Sequence, residues 1–341
     1  MNKLIEKLKQ VDWLTLLKKR IAQVMLIGLI IFFYSQRPDV FLSKDNIILI
    51  LRQSSIMGIC ALGMSFVMLT GGLDFSIGSN VAFTAILTAI LTIDFGMNFY
   101  LAALIAIMAA TVVGFMVGFI SVKVQIVILV VSLAVNQILN GANFLLSDNT
   151  TIFGIPNEVK WIGQGYVWGI PVPVIIFLVL TAVVSFILNK TYFGRYLFSV
   201  GGNREVARLA GIPVNKVRLI ASAFCGFMVG IAGVVTLCRT ATASTSTGTG
   251  MHNEVITAAI LGGVSVTGGV GNTSGVVTGI LVIGVLSNGF TVMGVNSYIQ
   301  DVVMGFMMIL AVVLDRFSHT TSVKKELISA KAGTAAQESR K

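Results

Sequence analysis

Long, almost unbroken apolar runs separated by short polar or glycine-rich breaks make up most of this chain. They occupy 21–36, 47–70, 76–93, 98–121, 124–146, 170–189, 216–237, 254–270, 272–290 and 296–314. A helix needs about 20 mostly apolar residues to cross a membrane, whereas strands of a membrane barrel alternate in character from residue to residue. The pattern predicts an all-α polytopic bundle of about ten transmembrane helices. A single transmembrane domain over 21–315 follows a short helix over 1–20 and precedes a polar tail over 316–341, expected to be disordered. Glycines cluster where runs break, at 71–78 and again at 262–263 and 268–271. Non-helical backbone at membrane depth survives only when buried or lining a cavity, so these clusters predict broken helices or tight turns between adjacent spans.

One polar interruption stands apart, at 191–218. Asn203 is a favoured N-cap, and Gly211 with Pro213 stops a helix. About two turns of helix are predicted between them, with Val206, Leu209 and Ala210 on one stripe and Arg204, Glu205 and Arg208 on the other faces. So small a knob is too short to be a domain and has the form of a peg for a socket on another protein.

Composition agrees with a membrane protein: 55% of residues are hydrophobic and 11% charged, with a mean hydropathy of +0.91. The net charge of +10 is distributed unevenly. With ten spans and a cytoplasmic N-terminus, 19 basic residues fall on the inner side, against Arg37, Lys44, Lys160 and Arg239 outside and Arg52 within a span. That asymmetry predicts both termini in the cytoplasm. Topology and attraction to membrane lipid account for the charge without any nucleic acid. No cleavage site follows the first apolar run, which reads as an uncleaved span. Cys60, Cys225 and Cys238 lie in or beside apolar spans without metal-ligand spacing, and read as core fillers.

No phosphate-binding loop, metalloprotease motif or nucleophile elbow occurs in the chain, which holds two histidines. This excludes most acid–base and metal chemistry, and no metal or cofactor is expected on the chain itself. Charges near the apolar zone are Arg52, Asp74, Arg239, Glu254 and Asp301, each costly there unless it faces water or a partner. Asp74 and Glu254 also open spans, where a carboxylate complements the helix dipole, and both roles fit. Asp301 sits inside the last span, with a pairing to Arg52 or a bond across a helix interface as its options. A weak echo links 80–87 to 254–261, four of eight residues matching at an offset of 174. Two halves of five spans each would be inverted in the membrane.

Four blocks, GGLDFSIGS at 71–79, FGRYLFSVGGNREVARLAGI at 193–212, GTG with AAILGGVSVTGGVG at 248–271, and SNGF to AVVLD at 287–315, resemble the ribose-type branch of ABC importer permeases. These are membrane subunits of bacterial sugar uptake systems in the ribose/branched-chain amino-acid branch, and the similarity covers nearly the whole chain. The resemblance implies an inner-membrane permease that works as a dimer, with itself or a sister permease. Its implied partners are a cytoplasmic ABC ATPase, which would use ATP and magnesium, and an extracytoplasmic sugar-binding protein. It also implies that Asn203, Arg204, Glu205, Val206, Ala207, Arg208, Leu209, Ala210 and Gly211, within the loop 191–215, form the ATPase-coupling helix. Candidates for the translocation path are Asp74, Ser76, Asn140, Glu254 and Asp301; those for docking the binding protein are Arg239 and His252. The chain departs from the family pattern at the Ser/Thr tract 240–249, at His252 and Glu254, at Ser132-Leu133 and at Asn140-Gly141, which leaves the sugar open.

Two rival readings exist. An ion-coupled secondary transporter would use Asp74, Glu254 or Asp301 as its coupling site and leaves the 203–211 helix without a role. A purely structural membrane protein explains hydrophobicity and nothing more.

Overall fold

The polar breaks become caps and turns, and the apolar runs become helices. The computed structural model describes residues 21–313, 315 and 316. The helix expected over 1–20 and all of the expected tail except Arg316 lie outside the described residues. Helix α1 spans Ile21–Gln36, α2 Pro38–Phe41, α3 Lys44–Leu69, α4 Ile77–Ile93, α5 Phe99–Val124 and α6 Ile128–Leu146. A short excursion follows, holding strand β1 (Ile152–Phe153), α7 (Trp161–Gln164) and the hairpin β2 (Tyr166–Val167) and β3 (Ile170–Pro171). Then come α8 (Val172–Lys190), α9 (Tyr192–Gly202), α10 (Arg204–Leu209) and α11 (Val214–Thr240), strand β4 (Thr242–Ala243), α12 (Met251–Leu261) and α13 (Thr273–Val292). The last described helix, α14, is Ser297–Val313. Strand β4 pairs antiparallel with β1, Ile152 opposite Ala243.

Six helices, α3, α5, α6, α8, α11 and α13, are long and apolar enough to cross a membrane; α1, α4 and α14 are apolar but shorter. The run 254–270 is not one span. Its helix begins at Met251 and stops at Leu261, because Gly262-Gly263 follow and Gly263 takes φ 84°. Eleven residues rise only about 16 Å, roughly half of a ~30 Å hydrocarbon core. Local polar groups set the ends of others: Ser43 accepts from the Asn46 amide at 3.3 Å, Asn98 from Tyr100 at 3.0 Å, and Asn272 from Ser274 at 3.2 Å.

Helix α11 is the centre, packed on α5, α3 and α4. The α5–α11 seam is built of small residues. Ala102, Ala106, Ala110, Gly114 and Gly118 recur every fourth position along one buried face of α5, and Ser222, Gly226 and Gly230 do so on α11. A Cβ on Gly114 would stand 2.5 Å from the Ser222 carbonyl, and one on Gly226 would run into that of Ala110. Such spacing lets backbones approach and gains dispersion where lipid offers no hydrophobic driving force. Helix α13 is joined to α3 by a reciprocal amide pair, Asn46 Nδ2 to Asn288 Oδ1 at 3.0 Å and Asn288 Nδ2 to Asn46 Oδ1 at 2.8 Å. Both side chains are buried, so these bonds replace the ones lost to water.

Candidate functional site

Two helices too short to be full spans, α4 of 17 residues and α12 of 11, start at one place inside the bundle. After α3 ends at Leu69, the chain turns at Gly71 (φ 76°) and runs without helix to Ser76. Asp74 is buried, and its Oδ1 accepts from the Ser76 amide at 2.8 Å and the Ser76 hydroxyl at 2.6 Å. This is an Asx turn, and it feeds directly into the first turn of α4. Phe75 is held from the other side, its amide donating to Ser132 Oγ at 3.0 Å. The second helix, α12, is reached through a loop carrying Gly248 (φ 78°) and Gly250 (φ 75°). The two starts touch backbone to backbone: a Cβ on Gly248 would lie 2.5 Å from the Gly78 carbonyl, and one on Gly78 would run into that of Gly248. Only glycine permits that approach at both positions.

From this meeting point the two helices point away from each other. The far part of α4, with Ile86, Ala89 and Ile93, packs against Leu237 and Cys238 at the C-terminal end of α11. Helix α12 leads instead to Gly268 and Gly269, which lie against Gly71, Gly201 and Gly202, next to α10. Two helix N-termini, each with a partial positive charge, are therefore opposed within the bundle.

His252 joins this site, its ring 5.3 Å from that of Phe75. Ser76 is buried at the N-cap of α4. Glu254 is half-buried on α12 and within electrostatic reach of Asp301, which is exposed on α14. The Arg52–Asp301 pairing is not formed. Arg52 donates through Nη2 to the Gln164 carbonyl and stacks 4.6 Å over Tyr166, a nearer set of partners than a carboxylate on the last helix. Gln164 in turn donates to the Arg239 carbonyl at 2.9 Å, so Arg239 belongs to a cluster at the C-terminal end of α11. Asn140 is half-buried on α6. Its neighbour Asn143 is the residue that reaches the site, Nδ2 donating to the Ser79 carbonyl at 3.0 Å. Asn80 donates to the Ala110 carbonyl at 3.3 Å. The Oδ1 atoms of both asparagines are buried without a hydrogen-bond partner. Sequence reading chose Asn140 and Ser76 and passed over these two, although an asparagine in an apolar run was the available signal. Among the described residues no group of three or more His, Cys, Asp or Glu is placed to hold a metal ion.

At the end of α11 opposite Arg239, the polar interruption folds as two helices. Asn203 Oδ1 accepts from the Glu205 and Val206 amides at 3.0 and 3.1 Å. The helix closes in a Schellman motif, with Gly211 donating to the Arg208 carbonyl, Ile212 to that of Ala207, and Gly211 at φ 80°. Ala207 is buried beneath the peg, whereas Val206 and Leu209 are 61% and 79% exposed. Glu205 and Arg208 form an ion pair of 2.9 Å on its surface. Arg204 turns inward, and its Nη2 donates to the carbonyls of Thr70 (3.1 Å) and Gly71 (3.4 Å), where the Asp74 loop begins. Gly201, at the end of α9, lies so close to the Leu69 carbonyl and Gly269 that a Cβ has no room. Asp315 Oδ2 accepts from Ser265 Oγ and the Val266 amide at 3.1 and 3.2 Å, fastening the turn after α12 to the end of α14. Both broken helices thus have their connecting segments gathered under the peg.

The family model for the branched-chain amino acid transport system / permease component matches residues 46–312. The ribose import permease protein RbsC of Escherichia coli strain K12 is 33% identical over 313 residues, 89% of this chain and 94% of its own. RbsC of Bacillus subtilis strain 168 is 34% identical over 81% of this chain and 86% of its own. The D-allose transport system permease protein AlsC of E. coli K12 is 33% identical over 84% and 88%. No solved structure matches.

Proposed function

Since the chain belongs to the branched-chain amino acid transport system / permease component family, we propose that it is the membrane-spanning subunit of an ATP-binding-cassette importer for a monosaccharide. It is a transporter component and not an enzyme; a separate ATPase subunit hydrolyses ATP. Its relatives are named for ribose and allose, which makes a pentose or hexose the substrate class. An extracytoplasmic binding protein would deliver the sugar, and a second copy or a sister permease would complete the pathway. The fold then reads as ten membrane segments in two inverted halves, α4 and α12 being the corresponding broken helices, with both termini cytoplasmic. Opposed helix N-termini supply neutral hydrogen-bond donors, which suit an uncharged polyhydroxyl solute passing through.

The observation that carries this reading is the peg itself: capped at both ends, exposed at Val206 and Leu209, and bonded through Arg204 to the carbonyls at the root of the Asp74 loop. A motor gripping that peg would move the broken helices directly. Driving an equilibrium from mostly one state to mostly the other takes about 5.5 kcal/mol of differential binding, which a loose tether does not deliver. The path candidates Asp74, Ser76, Glu254 and Asp301, and Asn140 on α6, together with docking at Arg239 and His252, remain part of the proposal. Reconstitution with the ATPase and binding protein tests it. Uptake of labelled ribose or allose should require ATP and survive a proton ionophore; uptake by this chain alone that collapses with ionophore would assign it to ion coupling instead.

A further inference from the structure

Three cavities lie along the outer face of the α5–α11 seam, each sharing lining residues with the next. The first, about 360 Å³, is lined by Arg204 and Arg218 together with Gly71 and Asn215. It shares Val122, Gln125 and Asn215 with a second, about 370 Å³, that adds Lys123 and Lys216. This one shares Leu219 with a third, about 300 Å³, lined by Met108, Phe115, Ala223 and Phe227. Four cations therefore crowd one end and an apolar trough leads away from it. No Asp or Glu lines any of the three. Among the described residues none of the four cations makes an ion pair; the pair found is Arg208 with Glu205. Arg204 and Arg218 stand within electrostatic reach of each other. Arg218 spends one donor on Ser121 Oγ at 3.1 Å, and a guanidinium has five.

We propose that this groove binds one anionic phospholipid, its phosphate held by Lys123, Lys216, Arg204 and Arg218 and one acyl chain lying along Phe115, Ile220 and Phe227. Charge complementarity selects the headgroup. An uncompensated cluster of four cations at a membrane boundary attracts anionic lipid. Length selects the chain: from Phe119 back to Met108 the groove follows 11 residues of helix, about 16 Å, which is close to one leaflet of a ~30 Å hydrocarbon core. The cationic end also touches Arg204 and Gly71, so a bound headgroup sits beside the coupling peg.

Native mass spectrometry of the purified full-length chain tests this, with phosphatidylglycerol and phosphatidylcholine of identical acyl chains as probes and with inorganic phosphate as competitor. Phosphatidylglycerol should bind at least about tenfold tighter than phosphatidylcholine. The double variant K123Q/K216Q, both side chains exposed, should reduce that preference to about threefold or less. Ala223→Phe, which fills the trough, should weaken both lipids alike without lowering the melting temperature. Equal affinity for the two lipids would overturn the assignment, as would displacement of phosphatidylglycerol by millimolar phosphate, which marks a free-anion site. So would a K123Q/K216Q variant that binds lipid normally but no longer retains the ATPase subunit, since the cations would then serve a protein partner.

Discussion

At the scale of single residues, the two bonds from Arg204 to the Thr70 and Gly71 carbonyls connect the peg to the root of the Asp74 loop, part of the proposed permeation path. Hydrogen bonds from a charged donor contribute about 1.5–3 kcal/mol each. Arg204→Gln keeps the peg's cap and its exposed face, so the ATPase should still copurify, while ATP-driven uptake falls about tenfold or more. Full uptake in that variant removes the linkage. Gly78 and Gly248 make a second residue-level case, because each occupies the space a side chain on the other would need. Gly78→Val should destabilise the protein by about 1–3 kcal/mol, seen as a lower melting temperature in detergent. Gly141→Ala is the matched control: nothing lies within 4 Å of its Cβ position inside helix α6, and it should melt no lower than the parent.

At the scale of elements, capping is local chemistry and was readable in the chain. Asn203, Gly211 and Pro213 bracket the peg where the spacing placed it, and the structure adds that Ala207 faces the bundle. Helix α9 was not readable in the same way, because Gly194, Gly201 and Gly202 look like turn residues. Gly194 is there since a Cβ would strike the Leu188 carbonyl, and Gly201 since one would strike that of Leu69; both are demands of packing, invisible to periodicity. Val264, Val266 and Val270 extended the hydrophobic run beyond the true end of α12, because hydropathy does not distinguish a buried turn from a helix. The small-residue seam of α5 and α11 was written at four-residue spacing throughout. Two element-level outcomes follow. Gly211→Val forces a branched side chain into φ 80° and breaks the Schellman closure, so transport should be lost while the protein still inserts, as judged by membrane fractionation and uptake. Leu209→Glu leaves the fold intact, since the side chain is 79% exposed, and should abolish retention of the ATPase on an affinity column; unchanged retention would place the motor elsewhere.

At the scale of the whole molecule, α11 acts as a strut between two differently equipped ends. Its 27 residues span about 40 Å, enough to cross a bilayer. Near its start lie the peg and the four cations of the lipid groove; near its end lie Arg239, Gln164 and the Arg52–Tyr166 stack. In the orientation proposed from the distribution of Lys and Arg the first end faces the cytoplasm, and the opposed directions of α4 and α12 fit the proposed two inverted halves about the point where Gly78 meets Gly248. This orientation is open to a direct labelling measurement. Trp168, at the tip of the β2–β3 hairpin, is 98% exposed, and Leu209 is exposed on the peg. The three native cysteines are buried and free, so they add little background. A membrane-impermeant maleimide should label Trp168→Cys in cells whose inner membrane is intact, and Leu209→Cys only after that membrane is opened. The reverse order would invert the whole assignment, placing the peg outside, where no nucleotide-driven motor operates. Labelling of both positions from one side would mean that α11 does not span the bilayer, and the two-ended mechanism would lose its axis.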